Sequence, residues 1–160
     1  MVRSLDRLLR PKTIAVYGGG WSGNVIKELK KISFAGEIWA VHPTKNFLEG
    51  VKCYRSSFDL PAAPDAAFVG VNREKTVSII KELAELSAGG VVSFASGFSE
   101  TSADDSAQHG KTLQDKIIGA AGQMPVLGPN CYGFINYLDN ALIWPDQHGG
   151  EKVYNCLLYT

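Results

Sequence analysis

TIAVYGGGWSG, residues 13–23, decides the fold. Its first five residues, Thr13 to Tyr17, are a continuous apolar and β-branched run, the composition of a strand buried on both faces. Gly18-Gly19-Gly20-Trp21-Ser22-Gly23 then satisfies the spacing G-x-G-x-x-G. From Ser22 to Ile32 the apolar residues Val25, Ile26, Leu29 and Ile32 fall on one face of a helix. Strand, glycine loop and helix in that order form a phosphate-binding turn. The glycines permit a tight bend and close approach of backbone N–H groups, and the helix N-terminus adds free N–H groups and the positive end of its dipole. The motif does not by itself select one nucleotide.

Outward from this unit the alternation continues. Glu37 to Val41 (EIWAV), Ala66 to Val71 (AAFVGV), Val91 to Ala95 and Pro125 to Leu127 read as strands, and Val51 to Tyr54 as a short extended piece after Gly50. Arg73 to Ser87 reads as a helix with Val77, Ile80, Leu83 and Ala84 facing inward and Gly89 as a stop signal. Ala103 to Ala121 reads as another, with Asp104 and Asp105 suited to its positive end. Met1 to Pro11 mixes Arg3, Arg7 and Arg10 with Leu5, Leu8 and Leu9, a short amphipathic helix and not a signal peptide. Repeated βαβ units imply a parallel sheet with helices on both faces, and right-handed crossovers favour the doubly wound, Rossmann-like α/β arrangement in a single domain.

The 160 residues suffice for one domain with a core, and 16 basic against 16 acidic residues leave no net charge to draw the chain to nucleic acid or an anionic membrane. No apolar run approaches the ~20 residues that span a bilayer. Cys53, Cys131 and Cys156 form neither a CxxC pair nor a metal-ligand spacing, so no metal is expected and a reducing cytoplasm is the default location.

The end of the second strand bears on which nucleotide is bound. An NAD site places an Asp or Glu there, about 20 residues past the glycines. Here the place reads Val41-His42-Pro43-Thr44-Lys45, with no carboxylate and one cation. A cation suits an additional ribose phosphate, which coenzyme A carries at the 3′ position and NADP at the 2′ position; the residues alone leave both open. Val71-Asn72-Arg73, Ala95-Ser96-Gly97-Phe98-Ser99 and Gly128-Pro129-Asn130-Cys131-Tyr132-Gly133 end three further strands, and in a parallel sheet all these ends share one rim, where ligands bind.

Several of these segments together resemble the CoA-binding domain of NDP-forming acyl-CoA synthetases, the family of ADP-forming acetate–CoA ligase and the succinyl-CoA synthetase α-subunit. Leu9 to Val16 resembles its L-x-P-K-S-I-A-V opening, and His42 to Lys45 stands where the family has an N-P-K turn. Gly50 to Tyr54 with Leu60-Pro61 and Pro64-Asp65, Ser96-Gly97-Phe98, and above all Gly128 to Gly133, similar to G-P-N-C-x-G, complete the set. Asn72 departs from the proline usual after the third strand, and Trp21 is bulky for a glycine loop. The resemblance implies that Gly18, Gly19, Gly20, Trp21, Ser22 and Gly23 take the CoA pyrophosphate. It implies that His42, Pro43 and Lys45 meet the adenosine and its 3′-phosphate. Val71, Asn72, Ser96 and Gly97 would line the adenine and pantetheine path, with Asn130 and Cys131 near the pantetheine arm.

The function implied is coenzyme A binding within an enzyme that converts acid, CoA and NTP to acyl-CoA, NDP and phosphate. In the family a phosphohistidine carries the phosphoryl group in another domain. His42, His109 and His148 do not match its context, so residues 1–146 are expected to be the CoA domain, 147–160 a tail or stump, and a phosphohistidine or ATP-grasp domain or subunit the partner. No catalytic residue is assigned, and activity of the chain alone is not expected. The competing readings are an NADP-binding oxidoreductase domain and a non-catalytic CoA-sensing module.

Overall fold

The computed structural model describes residues 4–98 and 105–151, with side chains from Thr112 onward in the second stretch. Ser99, Ala103, Asp104 and Cys156, and the side chain of His109, lie outside the described residues.

In chain order the elements are α1 (Asp6–Leu9), β1 (Thr13–Gly18), α2 (Gly20–Lys31), β2 (Glu37–Val41), β3 (Phe47–Leu48), β4 (Val51–Tyr54), a 3₁₀ turn (Ser57–Asp59), β5 (Ala66–Gly70), α3 (Arg73–Glu85), β6 (Val91–Ser93), α4 (Asp105–Ala121), β7 (Val126–Leu127), β8 (Phe134–Asn136) and β9 (Ala141–Ile143). Seven strands form one sheet in the order β3-β4-β2-β1-β5-β6-β7. All neighbours are parallel except β3, which runs antiparallel to β4 with Phe47 opposite Lys52. The parallel strands thus follow the doubly wound order expected of a Rossmann-like sheet, and its direction of growth reverses between β1 and β5.

Period-two alternation along the strands feeds two cores. Ile14 and Val16 of β1 face Val25, Ile26 and Leu29 of α2, while Ala15 and Tyr17 face Ile80 and Leu83 of α3 and Leu113 and Ile117 of α4. Phe68 of β5 is fully buried on the α2 side, worth about 2–3 kcal/mol against exposure. This double burial explains why the strands carry no polar face.

A clasp closes the end of the sheet opposite the glycine loop. Asp65, just before β5, accepts from the Arg7 guanidinium at 2.7 Å and from the Lys12 and Thr13 amides at 2.9 and 3.2 Å. Burial alone would raise its carboxyl pKa; these donors outweigh burial and hold it below the usual carboxylate range. Arg7 also donates to the Ser87 carbonyl at 2.8 Å, which pins α1 to the turn after α3.

The sequence reading did not foresee β3 or the β8–β9 hairpin. In the hairpin, Phe134 pairs with Ile143 and Asn136 with Ala141. Its strand β9 is buried throughout, and Leu142 and Ile143 join Val25, Ile26 and Leu29 of α2 in one cluster. The hairpin therefore packs against α2 and completes the core on that face of the sheet. Contacts continue past Asp146: the Lys31 ammonium donates to the His148 carbonyl at 3.0 Å, and the imidazole sits 3.3 Å from both Tyr137 Oη and a Glu28 carboxylate oxygen. No helix among the described residues is long and apolar enough to cross a membrane.

Candidate functional site

The glycine loop turns at the point where the strand order reverses. Gly18 has φ +118°, and a side chain there would run into the Gly70 carbonyl on β5 and the Ser22 hydroxyl. Gly18 is thus fixed by backbone approach as well as by conformation. Gly19 caps α2, so Gly20, Trp21 and Ser22 hold its first three amides, which the helix itself leaves unpaired. The Gly23 amide donates to the Gly19 carbonyl at 2.8 Å and is spent inside the helix. Apart from the adjoining residues and the helix's own backbone, nothing lies within 4 Å of where a Cβ would stand on Gly19 or Gly20.

Two members of the motif are buried. Ser22 is fully buried, and its hydroxyl donates to the Tyr17 carbonyl at 2.6 Å; only its amide faces the loop opening. Gly23 is buried against the Glu49 side chain, 3.2 Å from an added Cβ, so its role is packing.

A cavity of about 620 Å³ lies beside the loop, between the C-terminal ends of β2, β1 and β5 and the first turns of α3. Val41, Pro43, Val71 and Ile79 give it apolar walls. Tyr17, Ser57 and Glu82 form its polar floor: the Tyr17 hydroxyl donates to Ser57 Oγ at 3.1 Å, and Ser57 donates to Glu82 Oε2 at 2.6 Å. Burial, reinforced by the nearby Glu82 charge and only partly opposed by the Ser57 bond, pushes the Tyr17 phenol well above its ordinary pKa, so it stays a donor. A smaller hollow of about 470 Å³ at the opposite end of the sheet is lined by Arg7 and the ends of α3 and α4; its one cation is already committed to Asp65.

The mouth of the larger cavity is cationic. His42 Nδ1 accepts from the Thr44 and Lys45 amides at 3.2 and 3.1 Å, which folds the turn after β2 and puts the ring proton on Nε2. Partial burial, then the charges of Lys45, Arg55 and Lys75, hold the imidazole below its ordinary pKa. Three cations therefore face one neutral histidine. Arg55 and Lys75 line the cavity, whereas Lys45, the cation read from sequence, stands exposed on the turn next to it. Arg55 donates to the Pro43 and Lys45 carbonyls at 3.3 and 3.0 Å and to Asn46 Oδ1 at 2.5 Å, so it also braces the turn.

Asn72 has φ −63°, the value a proline would impose, and its Oδ1 caps α3 by accepting from the Lys75 amide at 2.9 Å. It lies on the cavity wall with its Oδ1 engaged in that cap. The remaining predicted residues end strands on the other side of the glycine loop. Ser96 is exposed, and the Gly97 carbonyl accepts from Arg73 at 2.8 Å. Asn130, at φ +53°, and half-buried Cys131 are stitched to β6 by amide bonds to the Ala95 and Ser93 carbonyls at 2.9 and 3.2 Å. Ser96 and Gly97 thus follow β6, and Asn130 and Cys131 follow β7, beyond the β5 end that walls the cavity.

Arg55, Lys75 and the Tyr17–Ser57–Glu82 floor were not singled out from sequence. The available signal was position: Arg55 directly follows β4, and Lys75 lies in the first turn of α3, both on the rim that carries ligands in a parallel sheet. Among the described residues no group of His, Cys, Asp or Glu is placed to hold a metal ion.

Free amides at a helix N-terminus, an apolar slot at the strand-order reversal and a cationic mouth define a nucleotide-binding domain of the doubly wound α/β class. Residues 12–137 match the CoA binding domain family, and the chain belongs to it. It is 32% identical over 142 residues to a trans-feruloyl-CoA synthase from an unidentified prokaryote, covering 86% of this chain and 20% of that protein. It is 30% identical over 142 residues to ADP-forming acetate–CoA ligase II of Archaeoglobus fulgidus, covering 84% and 20%. Among solved structures, the dinucleotide-forming acetyl-coenzyme A synthetase of Ca. Korarchaeum cryptofilum, in complex with phosphate and ADP, superposes with a TM-score of 0.81 at 25% identity, over 91% of this chain and 32% of that one. The chain spans about a fifth of the length of the curated relatives named here. It corresponds to the CoA-binding portion of NDP-forming acyl-CoA synthetases.

Proposed function

We propose that this domain holds coenzyme A for acyl transfer in an NDP-forming acyl-CoA synthetase that joins an acid to CoA at the expense of an NTP. The adenine lies in the slot between Val41, Pro43, Val71 and Ile79. The pyrophosphate meets the Gly20, Trp21 and Ser22 amides, where partial charges of the helix end favour an anion. The 3′-phosphate faces Arg55, Lys75 and Lys45. From the loop, the pantetheine arm runs toward Ser96–Gly97 and Asn130–Cys131, which places the thiol at the open side of the rim. These residues bind and orient. The phosphoryl-transfer steps, and a phosphohistidine or ATP-grasp partner that performs them, belong to the parts of the relatives that this chain does not match.

The cation cluster around His42 carries this reading, because it suits a ribose phosphate and the turn after β2 carries no carboxylate for a ribose diol. Isothermal titration calorimetry of the chain with CoA, NADP and NAD tests it. CoA should bind at least tenfold tighter than NADP, and NAD weakest. Preference for NADP would move the domain to the oxidoreductases. In a coupled assay with acid, NTP and CoA, the chain alone should form no thioester.

A further inference from the structure

The cavity beside the glycine loop is cationic at its mouth and acidic at its floor. Along α3 the residues Lys75, Ser78, Ile79 and Glu82 all line it, and the spacing i, i+3, i+4, i+7 puts them on one face of the helix. Lys75 stands in the first turn. Glu82 lies two turns on, about 10 Å further along the axis at a rise of roughly 1.5 Å per residue. That span is comparable with an adenosine's reach from a ribose phosphate to the exocyclic amine of the base.

The floor is an oriented chain of hydrogen bonds. The buried Tyr17 hydroxyl donates to Ser57 Oγ at 3.1 Å, and burial keeps the phenol protonated. Ser57, also buried, therefore has one proton to pass onward, and donates it to Glu82 Oε2 at 2.6 Å. The other oxygen, Oε1, has no hydrogen-bond or ion-pair partner among the described residues. The cavity thus holds a carboxylate with an acceptor to spare, and a carboxylate only accepts. Adenine supplies one N–H donor group, its exocyclic amine, while its ring nitrogens accept. In CoA the 3′ oxygen is esterified, which leaves no ribose diol for the carboxylate to bridge. The negative floor also repels phosphate toward the cationic mouth, so base and phosphate enter in one sense only.

We propose that Glu82 Oε1 accepts the exocyclic amine of adenine and selects this base over purines that lack the amine. Ser57 and Tyr17 act as positioning residues that fix which oxygen is offered. This rests on the CoA reading above.

Calorimetry on the full chain compares CoA with two analogues, one carrying unsubstituted purine and one hypoxanthine in place of adenine. Loss of a hydrogen bond to a charged acceptor should weaken the purine analogue about tenfold or more; hypoxanthine, whose C6 oxygen meets the carboxylate, should lose at least as much. In Glu82→Gln, Ser57 still donates, so the amide oxygen turns to Ser57 and the amide NH2 group to the base. CoA and the purine analogue should then bind within about threefold of each other, and the hypoxanthine analogue should become the tightest of the three. The ratio of CoA to dephospho-CoA should stay within about twofold of the parent's, because the phosphate end is distant from the change. Circular dichroism and melting confirm the fold of the variant, and the comparison in the parent chain decides the question without it. Equal affinity of the parent for all three ligands overturns the reading of the base and leaves the CoA site standing. Selectivity for adenine that survives in Glu82→Gln assigns the choice to other groups and also overturns the proposal. Failure of the folded parent to bind CoA overturns both readings.

Discussion

Removing the Lys75 ammonium separates the ribose phosphate from the rest of the ligand. The Lys75 side chain lines the cavity mouth and, with Lys45 and Arg55, acts on His42. Two unit charges about 4 Å apart interact by roughly 1 kcal/mol in water and roughly 4 kcal/mol at an effective dielectric near 20. Lys75 and Lys45 are exposed, so the lower end applies. A phosphate monoester carries between one and two negative charges near neutrality, which brings each lysine to about 1.5 kcal/mol, or roughly tenfold in Kd. Lys75→Ala and Lys45→Ala should each weaken CoA about tenfold, and the double variant about a hundredfold. Dephospho-CoA should change by less than twofold in all three. Calorimetry at low salt reads the difference, and raising ionic strength to 0.5 M should shrink it, since exposed pairs are screened. Arg55→Ala is a poorer probe because Arg55 braces the turn at Pro43 and Lys45. Equal losses for both ligands, or none for either, would refute the assignment of this mouth to the 3′-phosphate.

Gly20→Val should weaken CoA at least a hundredfold with melting within about 2 °C of the parent, because the added bulk fills the open space over the loop; Gly18→Ala should lower stability by about 2–4 kcal/mol, since its φ and the Gly70 carbonyl both exclude a side chain. Gly133→Ala should likewise destabilise by about 2–4 kcal/mol in urea titrations, because at φ +119° its Cβ would meet the Ile143 carbonyl across the hairpin. Asp65→Asn should cost about 2 kcal/mol at pH 7 through weaker bonds to Arg7, Lys12 and Thr13. Because the folded Asp65 pKa is depressed, its contribution is present above the unfolded value near 3.9 and is lost as pH falls through the folded value. The melting difference between parent and variant should therefore shrink as pH falls below the unfolded value and on through the depressed folded one; a gap that stays constant under acid titration would remove Asp65 from the acid response.

The main strands and helices were legible because burial on both faces writes itself as continuous apolar runs, as in TIAVY and AAFVG, and α2 and α3 repeat at helical spacing. The hairpin was not: its strands have three residues each, too few to show a period, and Ala141-Leu142-Ile143 resembles any buried run. The edge strand β3 has only two residues. In the site, the glycine spacing marked the loop but could not say which members face outward. Helical geometry decides that, turning Ser22 into the core and closing the Gly23 amide. Lys45 was visible because it lies in the turn that follows β2, about 20 residues past the glycine loop. Arg55 and Lys75 reach the same mouth only through the strand order, which brings β4 and the start of α3 around β2 and β1.

The sheet ends on both sides in strands of two residues, β3 and β7. Each border thus offers few backbone groups on which another chain could template, and on one side the last strand also reverses direction. Long, flat, apolar borders are where parallel sheets of neighbouring molecules zip together. A sheet this rich in β-branched residues is protected from that fate by brevity at its margins. The rim loops can then stay open to a ligand without the sheet itself becoming adhesive.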